Sequence, residues 1–289
     1  MESGRGGRVN IQRKPEWLRK KINPGEQGEM RQLLGELQLN TVCQQALCPN
    51  ISECFSCGQA TFLILGKNCT RLCSFCNVEK TAPLPVDSGE PARVAEAVAH
   101  LKLSHVVITS PTRDDLADGG ATLYSKTVAE IRSASPLTRI ELLIPDFQGS
   151  ISSLEAVVSS HPDIIAHNVE TVPRLYQIRS GADYYRSLEV LRICAELAPE
   201  IHTKSGVMLG MGESEEELLQ VFNNLREVGC AYLSIGQYLA PSRKHYQVQE
   251  YIAPKRFESL RQQALEKGFS HVESGPYVRS SYHAAKYLQ

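Results

Sequence analysis

Short apolar runs alternate with amphipathic stretches along most of this chain, from about Phe62 onward. TFLIL (61–65), HVVIT (105–109), IELLIP (140–145), DIIAHNV (163–169), HTKSGVML (202–209) and YLSIG (232–236) are rich in β-branched residues and read as six strands. The stretches between them, PARVAEAVAHL, LYSKTVAEIR, SSLEAVVSS, YYRSLEVLRICAEL and EEELLQVFNNLREV, read as helices. Ser214 followed by Glu217 has the capping-box spacing that starts the last of these. Strand and helix in alternation imply a parallel sheet, and six repeats predict an α/β fold of the partial (β/α)6 barrel type. A catalytic site then belongs at the C-terminal strand ends. Residues 1–60 read as mostly polar connections that wrap the barrel. The expected organisation is an N-terminal extension over 1–60, the barrel over 61–269 and a C-terminal segment over 270–289, with the extensions covering the open end.

Composition narrows the function. A length of 289 residues suits a single α/β barrel, and 42% hydrophobic content is enough for a substantial core. A formal net charge of −1 argues against bulk nucleic-acid binding. No apolar run approaches the roughly 20 residues that span a bilayer, and no apolar signal-peptide core is seen. Between Met1 and Ile22 seven basic residues face two acidic ones, which suits either a solvated tail or a docking arm for an acidic protein, with Trp17 pinning it to a surface.

The cysteines carry the chemistry. Seven of nine fall between Cys43 and Cys76, and the cytoplasm is the compartment that keeps such thiols reduced. Cys43, Cys48 and Cys54 are spaced by four and then five residues; Cys69, Cys73 and Cys76 by three and then two. Three thiolates hold three irons of a cubane [4Fe–4S] cluster and leave one open. A zinc ribbon is the rival: Cys54 and Cys57, fifteen residues, then Cys73 and Cys76 fit its pattern. It leaves Cys43, Cys48 and Cys69 unexplained and puts the TFLILG strand inside the ribbon. Cys194 and Cys230 read as buried apolar residues of a helix and a strand. Gly66-Lys67 lacks P-loop spacing, and neither HExxH nor GxSxG occurs.

The second triplet, in GKNCTRLCSFC, resembles that of radical S-adenosylmethionine (SAM) enzymes, and the chain as a whole, from about Lys14 to His283, resembles the lipoyl synthases. The resemblance is carried by both triplets and by RDDLADGG (113–120), ELLIPDFQG (141–149), HNVETVPRLY (167–176), GADYYRSL (181–188), TKSGVMLGMGE (203–213), IGQYLAPS (235–242) and SGPYVRSSYHA (274–284). It implies a radical-SAM barrel with two [4Fe–4S] clusters and SAM as cofactors. Cys69, Cys73 and Cys76 would hold the cluster whose open iron chelates SAM. Cys43, Cys48 and Cys54 would hold an auxiliary cluster, with Ser281 as fourth ligand, that is consumed as sulfur donor. The implied reaction places sulfur at C6 and C8 of an octanoyl chain on a carrier lysine. The carriers would be lipoyl domains of 2-oxoacid dehydrogenases and the glycine-cleavage H protein. A reducing donor such as ferredoxin or flavodoxin and a cluster-repair protein complete the partners.

Further assignments follow from the resemblance. Gly206 to Glu213, with Gly210, would pack against adenine, or form only a glycine-rich turn. Asn168 and Glu170 would bond the ribose, or sit satisfied at the barrel rim. Arg113 would face the amino-acid part of SAM, or join a cap with ion pairs. Lys204 would meet the SAM carboxylate, or be a paired interior cation. Cys57 and the Pro111-Thr112 pair depart from the expected pattern. Biotin synthase shares the barrel, but RSSY (279–282) and the Cys43 triplet argue against it.

Overall fold

The computed structural model describes residues 13–20, 28–56, 59–282 and 284–288. Of the expected docking arm over 1–22, residues 1–12 and 21–22 lie outside them, as does the spare thiol Cys57. The elements run α1 (Gly28–Glu36), β1 (Asn40–Thr41), α2 (Val42–Gln45), α3 (Ile51–Ser56), β2 (Thr61–Leu63), α4 (Glu90–His100), β3 (His105–Thr109), α5 (Ala121–Ala134) and β4 (Arg139–Leu143). They continue with α6 (Ile151–Val158), β5 (Ile164–Ala166), α7 (Tyr184–Leu197), β6 (His202–Leu209), α8 (Glu215–Glu227), β7 (Tyr232–Gln237), α9 (Pro254–Glu266) and β8 (His271–Gly275). One sheet contains all eight strands in chain order, with β1 antiparallel to β2 and every later neighbour parallel. It does not close; β1 and β8 are its edges.

Parallel strands covered by helices are buried on both faces, which is why they read as unbroken apolar runs. Phe62, Ile108, Ile140 and Ile165 pack with Val94, Tyr124 and Leu154 on one side of the sheet's span, and Leu233, Ile235 and Val272 pack with Phe222, Phe257 and Leu260 on the other. The capping box at Ser214 forms as its spacing requires, each partner bonding the other's backbone. All six expected strands are present. β2 stops at Leu63, and Leu65 (φ 67°) and Gly66 (φ 80°) then turn the chain through left-handed conformations.

Two strands and several helices go beyond the expected pattern. β8, HVESG, buries only Val272 on its outer face, so it carries no apolar run. Because β8 belongs to the sheet, the boundary expected at 269/270 falls inside the β/α unit made by α9 and β8. The N-terminal extension is not mostly connection either: α1 buries Met30, Leu33 and Leu34. Leu18 is buried while Trp17 is 45% exposed, so leucine rather than tryptophan anchors that stretch. Cys194 lies buried in α7, but Cys230 lies just ahead of β7 rather than within it.

The two extensions meet each other. Asn50 Nδ2 donates to Tyr277 O at 2.7 Å, Thr61 Oγ1 to Ser281 Oγ at 2.7 Å, and Tyr282 OH to Glu53 at 3.0 Å. Lys20 pairs with Glu53 and lies over the rings of Tyr277 and Tyr282, 5.0 and 5.7 Å from their centroids. Beyond Tyr282 the chain ends in a short helical turn that sets the Tyr287 ring 3.8 Å from Lys204 Nζ.

Lys204 and Glu141 form a fully buried ion pair, both carboxylate oxygens 3.0 Å from the ammonium. Burial raises the Glu141 pKa, but the Lys204 charge, with help from His105, outweighs it and leaves Glu141 below its ordinary value. Removing one member of such a pair costs about 3–5 kcal/mol, because the other charge is stranded. Lys204→Met should lower the denaturation midpoint accordingly, and Lys204→Met with Glu141→Leu should recover most of the loss. Equal midpoints for wild type and the single variant in urea unfolding would refute this.

Candidate active site

The loop carrying Cys69, Cys73 and Cys76 follows the C-terminal end of β2. Cys69 N–H donates to Glu79 O at 2.7 Å, Cys76 N–H to Cys73 O at 3.2 Å, and Ser74 N–H to Ile178 O at 2.9 Å. Arg71 holds the loop to its surroundings. Its guanidinium donates to both oxygens of Asp114 (2.8 and 2.9 Å) and of Asp146 (2.9 and 2.6 Å), and Arg186 donates to Asp146 at 2.8 Å. Gly181 (φ 74°) turns the chain against Arg71, close enough that a Cβ there would touch its Cδ and Nε at 3.4 Å. Three sequence motifs therefore converge on one side chain. The Arg71 N–H also points at Cys69 Sγ, 3.4 Å away. Burial pushes the Cys76 thiol up to about 11, with Cys73 and Cys69 adding to it.

The first triplet surrounds a cavity of about 160 Å³, lined also by Ser281, Arg279, Thr61 and His105. Its spacing suits two short helices and a turn: Cys43 lies in α2, Cys48 follows Leu47 (φ 50°), and Cys54 lies in α3. Burial raises Cys43 to about 11, with Cys48 contributing, and Cys54 to about 12, with Cys43 and Cys48 contributing. The thiols thus interact within each triplet. Cys54 keeps company with Cys43 and Cys48, and Cys73 and Cys76 with Cys69, which splits the zinc-ribbon set in two. Asn77 Nδ2 donates to Gln45 O at 2.8 Å, so the two cysteine-bearing segments touch.

The remaining candidates divide. Asn168 Nδ2 donates to Glu170 Oε1 at 3.1 Å, and Ser280 Oγ to Asn168 Oδ1 at 3.2 Å. The Glu170 charge acts on Cys73 and Cys76, which puts this pair beside the second triplet, and burial raises its own pKa. Gly206 leaves space for it, since a Cβ would come within 2.8 Å of Asn168 Oδ1. Gly210 (φ 88°) turns the chain after β6, and a Cβ there would strike Glu250 O.

Three candidates are otherwise engaged. Glu213 accepts from the N–H groups of Gly210 and Met211 at 2.6 and 2.8 Å and closes that turn. Arg113 is buried, paired with Asp115 and donating to Leu65 O and Leu84 O. Lys204 is the interior cation held by Glu141. Each is held by partners within the chain. Sequence reasoning did not single out Arg71 and Asp146, although both lie inside motifs it quoted. Nor did it single out Arg179, whose charge acts on Cys73 and Glu170 and whose buried Nε has no partner among the described residues. His167 likewise leaves Nε2 buried and unpartnered, and burial pulls its pKa down to about 4.

An open parallel β/α sheet with a three-cysteine loop after its first parallel strand defines a radical SAM protein, and the Radical SAM superfamily pattern matches residues 63–225. The fold is shared with methylornithine synthase (TM-score 0.56, 13% identity, 86% of this chain and 81% of that one) and with Streptococcus suis SuiB bound to S-adenosylmethionine (TM-score 0.57, 13% identity, 86% and 60%). Within the superfamily the chain belongs to the lipoyl synthase family. It is 68% identical over 279 residues to the lipoyl synthase of Geobacter metallireducens (96% of this chain, 99% of that protein). It is 66% identical to that of Geotalea daltonii (96% and 95%) and 56% identical to that of Alkaliphilus metalliredigens (97% and 98%).

Asp146→Asn should loosen the cysteine loop. Hydrogen bonds to charged groups contribute about 1.5–3 kcal/mol each, so amide exchange across Thr70 to Ser74 should quicken by at least about tenfold. Burial pushes the Asp146 carboxyl up, but Arg71 outweighs it and holds it well below the usual carboxylate range. Its stabilisation is therefore present above the unfolded pKa and fades as pH falls toward the folded value. The gap in thermal midpoint between wild type and variant should stay constant from about pH 8 to 5 and narrow in stronger acid. A gap that narrows above about pH 5 would contradict this account.

Proposed function

We propose that this chain uses SAM-derived radicals to insert sulfur at C6 and C8 of an octanoyl group carried on a protein lysine. Cys69, Cys73 and Cys76 are the ligands of the cluster that binds SAM, and Cys43, Cys48, Cys54 and Ser281 those of an auxiliary cluster. The observation that supports this most is the pair of separate thiol triplets, one of which shares its cavity with the hydroxyl of Ser281. The donor chemistry fits: clustered thiols that raise one another's pKa are relieved by a cationic, sulfur-loving iron centre. When bound, the clusters supply an electron for cleaving SAM at one site and sulfide at the other.

The chain's own groups do the rest. Asn168 and Glu170, beside the second triplet, supply polar atoms for the SAM ribose, and the turn at Gly210 borders the adenine. Ser281 is a harder donor than thiolate and the weakest-held of its four ligands. Thr61 donates to its oxygen and orients it. Ser280 bonds Asn168, so adjacent serines of one segment address both sites. Residues 1–60 and the segment after β8 act together as the auxiliary-cluster module, and 61–275 as the radical-generating barrel. The partners are octanoylated lipoyl domains and the H protein, an electron donor of the ferredoxin or flavodoxin class, and a cluster-repair protein. The chemistry suits a reducing compartment such as the cytoplasm. Among the described residues no helix is long and apolar enough to cross a membrane.

Anaerobically prepared protein should contain roughly eight iron and eight sulfide per chain, the content of two cubanes. Changing Cys69, Cys73 and Cys76 to alanine should remove about half of each. The Cys43, Cys48 and Cys54 alanine variant should still cleave SAM but insert no sulfur. Clusters rebuilt with labelled sulfide should pass the label to product. Near-stoichiometric zinc with little sulfide would sink the proposal.

Ser281→Cys should keep the auxiliary cluster and suppress sulfur insertion, whereas Ser281→Ala should leave one iron open and also lose activity. Ser280→Ala gives up one hydrogen bond, about 1 kcal/mol, and should be much milder. Full turnover by Ser281→Ala with an unchanged cluster spectrum would remove Ser281 from the mechanism.

A further inference from the structure

Two cations stand near the thiols of the first triplet, and they differ. Lys20, whose charge acts on Cys54, is already committed to Glu53, to Asn50 at 2.9 Å and to the faces of Tyr277 and Tyr282. Arg279 lines the cavity itself. It makes no ion pair among the described residues, and its one hydrogen bond there runs from Nη1 to the neighbouring Val278 O at 2.7 Å. The groups that act on its charge are the Cys48 thiol and the Tyr277 hydroxyl. A guanidinium stays charged at any working pH, and this one is half-buried at the cavity wall with no carboxylate paired to it among the described residues.

The seat of Arg279 is built into the sheet. Gly236 in β7 presents bare backbone, and a Cβ there would stand 2.1 Å from Val278 O and 3.4 Å from Arg279 Nη1. Gly236 is thus the position whose lack of a side chain lets the Val278–Arg279 segment lie against the sheet, and the guanidinium is presented to the cavity two residues before Ser281.

We propose that Arg279 is a positioning residue for sulfur insertion: its guanidinium is the fixed counter-charge of the anionic iron–sulfur group held by Cys43, Cys48, Cys54 and Ser281. This rests on the ligand assignment above. Forming a carbon–sulfur bond takes one electron from the carbon radical and one from a sulfide pair; the remaining sulfide electron passes to iron. A positive charge beside the group makes that electron easier to accept, since net charge and hydrogen bonding to sulfur set cluster potentials. Arg279 also holds the group electrostatically at the wall where Ser281, the weakest ligand, gives way.

The test uses full-length, anaerobically purified chain with Cys69, Cys73 and Cys76 changed to alanine, so that only the auxiliary cluster reports. Iron and sulfide in this parent decide the ligand assignment; an empty parent would overturn that assignment and this inference together. In a loaded parent, Arg279→Gln should shift the auxiliary midpoint potential to more negative values in an EPR-monitored titration, and Arg279→Lys should stay near the parent. Gly236→Ala keeps the charge but crowds its seat, and should shift the potential in the same direction by less. Iron loss in Arg279→Gln with retention in Arg279→Lys would also support the counter-charge. An unchanged potential in Arg279→Gln overturns it. Equal iron loss in the Gln and Lys variants also overturns it, by assigning the requirement to side-chain shape.

Discussion

The Arg71 guanidinium between Asp114 and Asp146 is the contact on which the second cysteine site depends. Only 8% of Arg71 is exposed, so its charge needs compensation, and two carboxylates from two different strand-to-helix connections provide it. Because Arg71 sits between Cys69 and Cys73, whatever fixes it also fixes the thiols. Asp114 and Asp146 follow β3 and β4, and Arg186 begins α7, so the loop's position is set by three neighbouring units of the sheet. A loop without secondary structure of its own thereby acquires the rigidity of the sheet rim.

The first triplet is placed by a different principle. Its thiols ride on two short helices and the turn between them, outside the parallel strands, and the hydroxyl that shares their cavity comes from the other end of the chain. What joins them is a set of hydrogen bonds and cation–ring contacts: Asn50 to Tyr277, Thr61 to Ser281, Tyr282 to Glu53, and Lys20 across two tyrosines. The segment then continues to Tyr287, which lies against the buried Lys204–Glu141 pair. Lys204 is thus more useful as an interior anchor for the chain's end than as a ligand for a small molecule.

The barrel strands and the cysteine pattern were legible in the sequence because each is a local signal. HVVIT and HTKSGVML coincide with β3 and β6, and the Ser214 capping box is a four-residue property. β8 was not legible, because only Val272 of HVESG faces the apolar layer and the other positions are less buried. Arg113, Lys204 and Glu213 mark another limit. A charged residue at a strand end looks the same whether it waits for a ligand or is already paired, and only the three-dimensional neighbours decide. Asp115, Glu141 and the turn at Gly210 decided here. Leu18 outranked Trp17 for the same reason: a large ring predicts capacity for burial, not burial itself.

The contrast between the sites matches what sulfur insertion demands of each. A radical-generating cluster has to survive its reaction, and its loop is locked by ion pairs around a buried guanidinium. On the proposed assignment the auxiliary cluster has to come apart, and the cavity that would hold it is assembled from two chain extensions, with a serine hydroxyl at the wall alongside three thiols. Ser280 and Ser281 join these two sites in adjacent residues, one bonded to Asn168 beside the locked loop and the other at the cavity of the first triplet. A displacement of this segment would break the Thr61–Ser281 and Ser280–Asn168 hydrogen bonds together, so the two cysteine sites share one structural support.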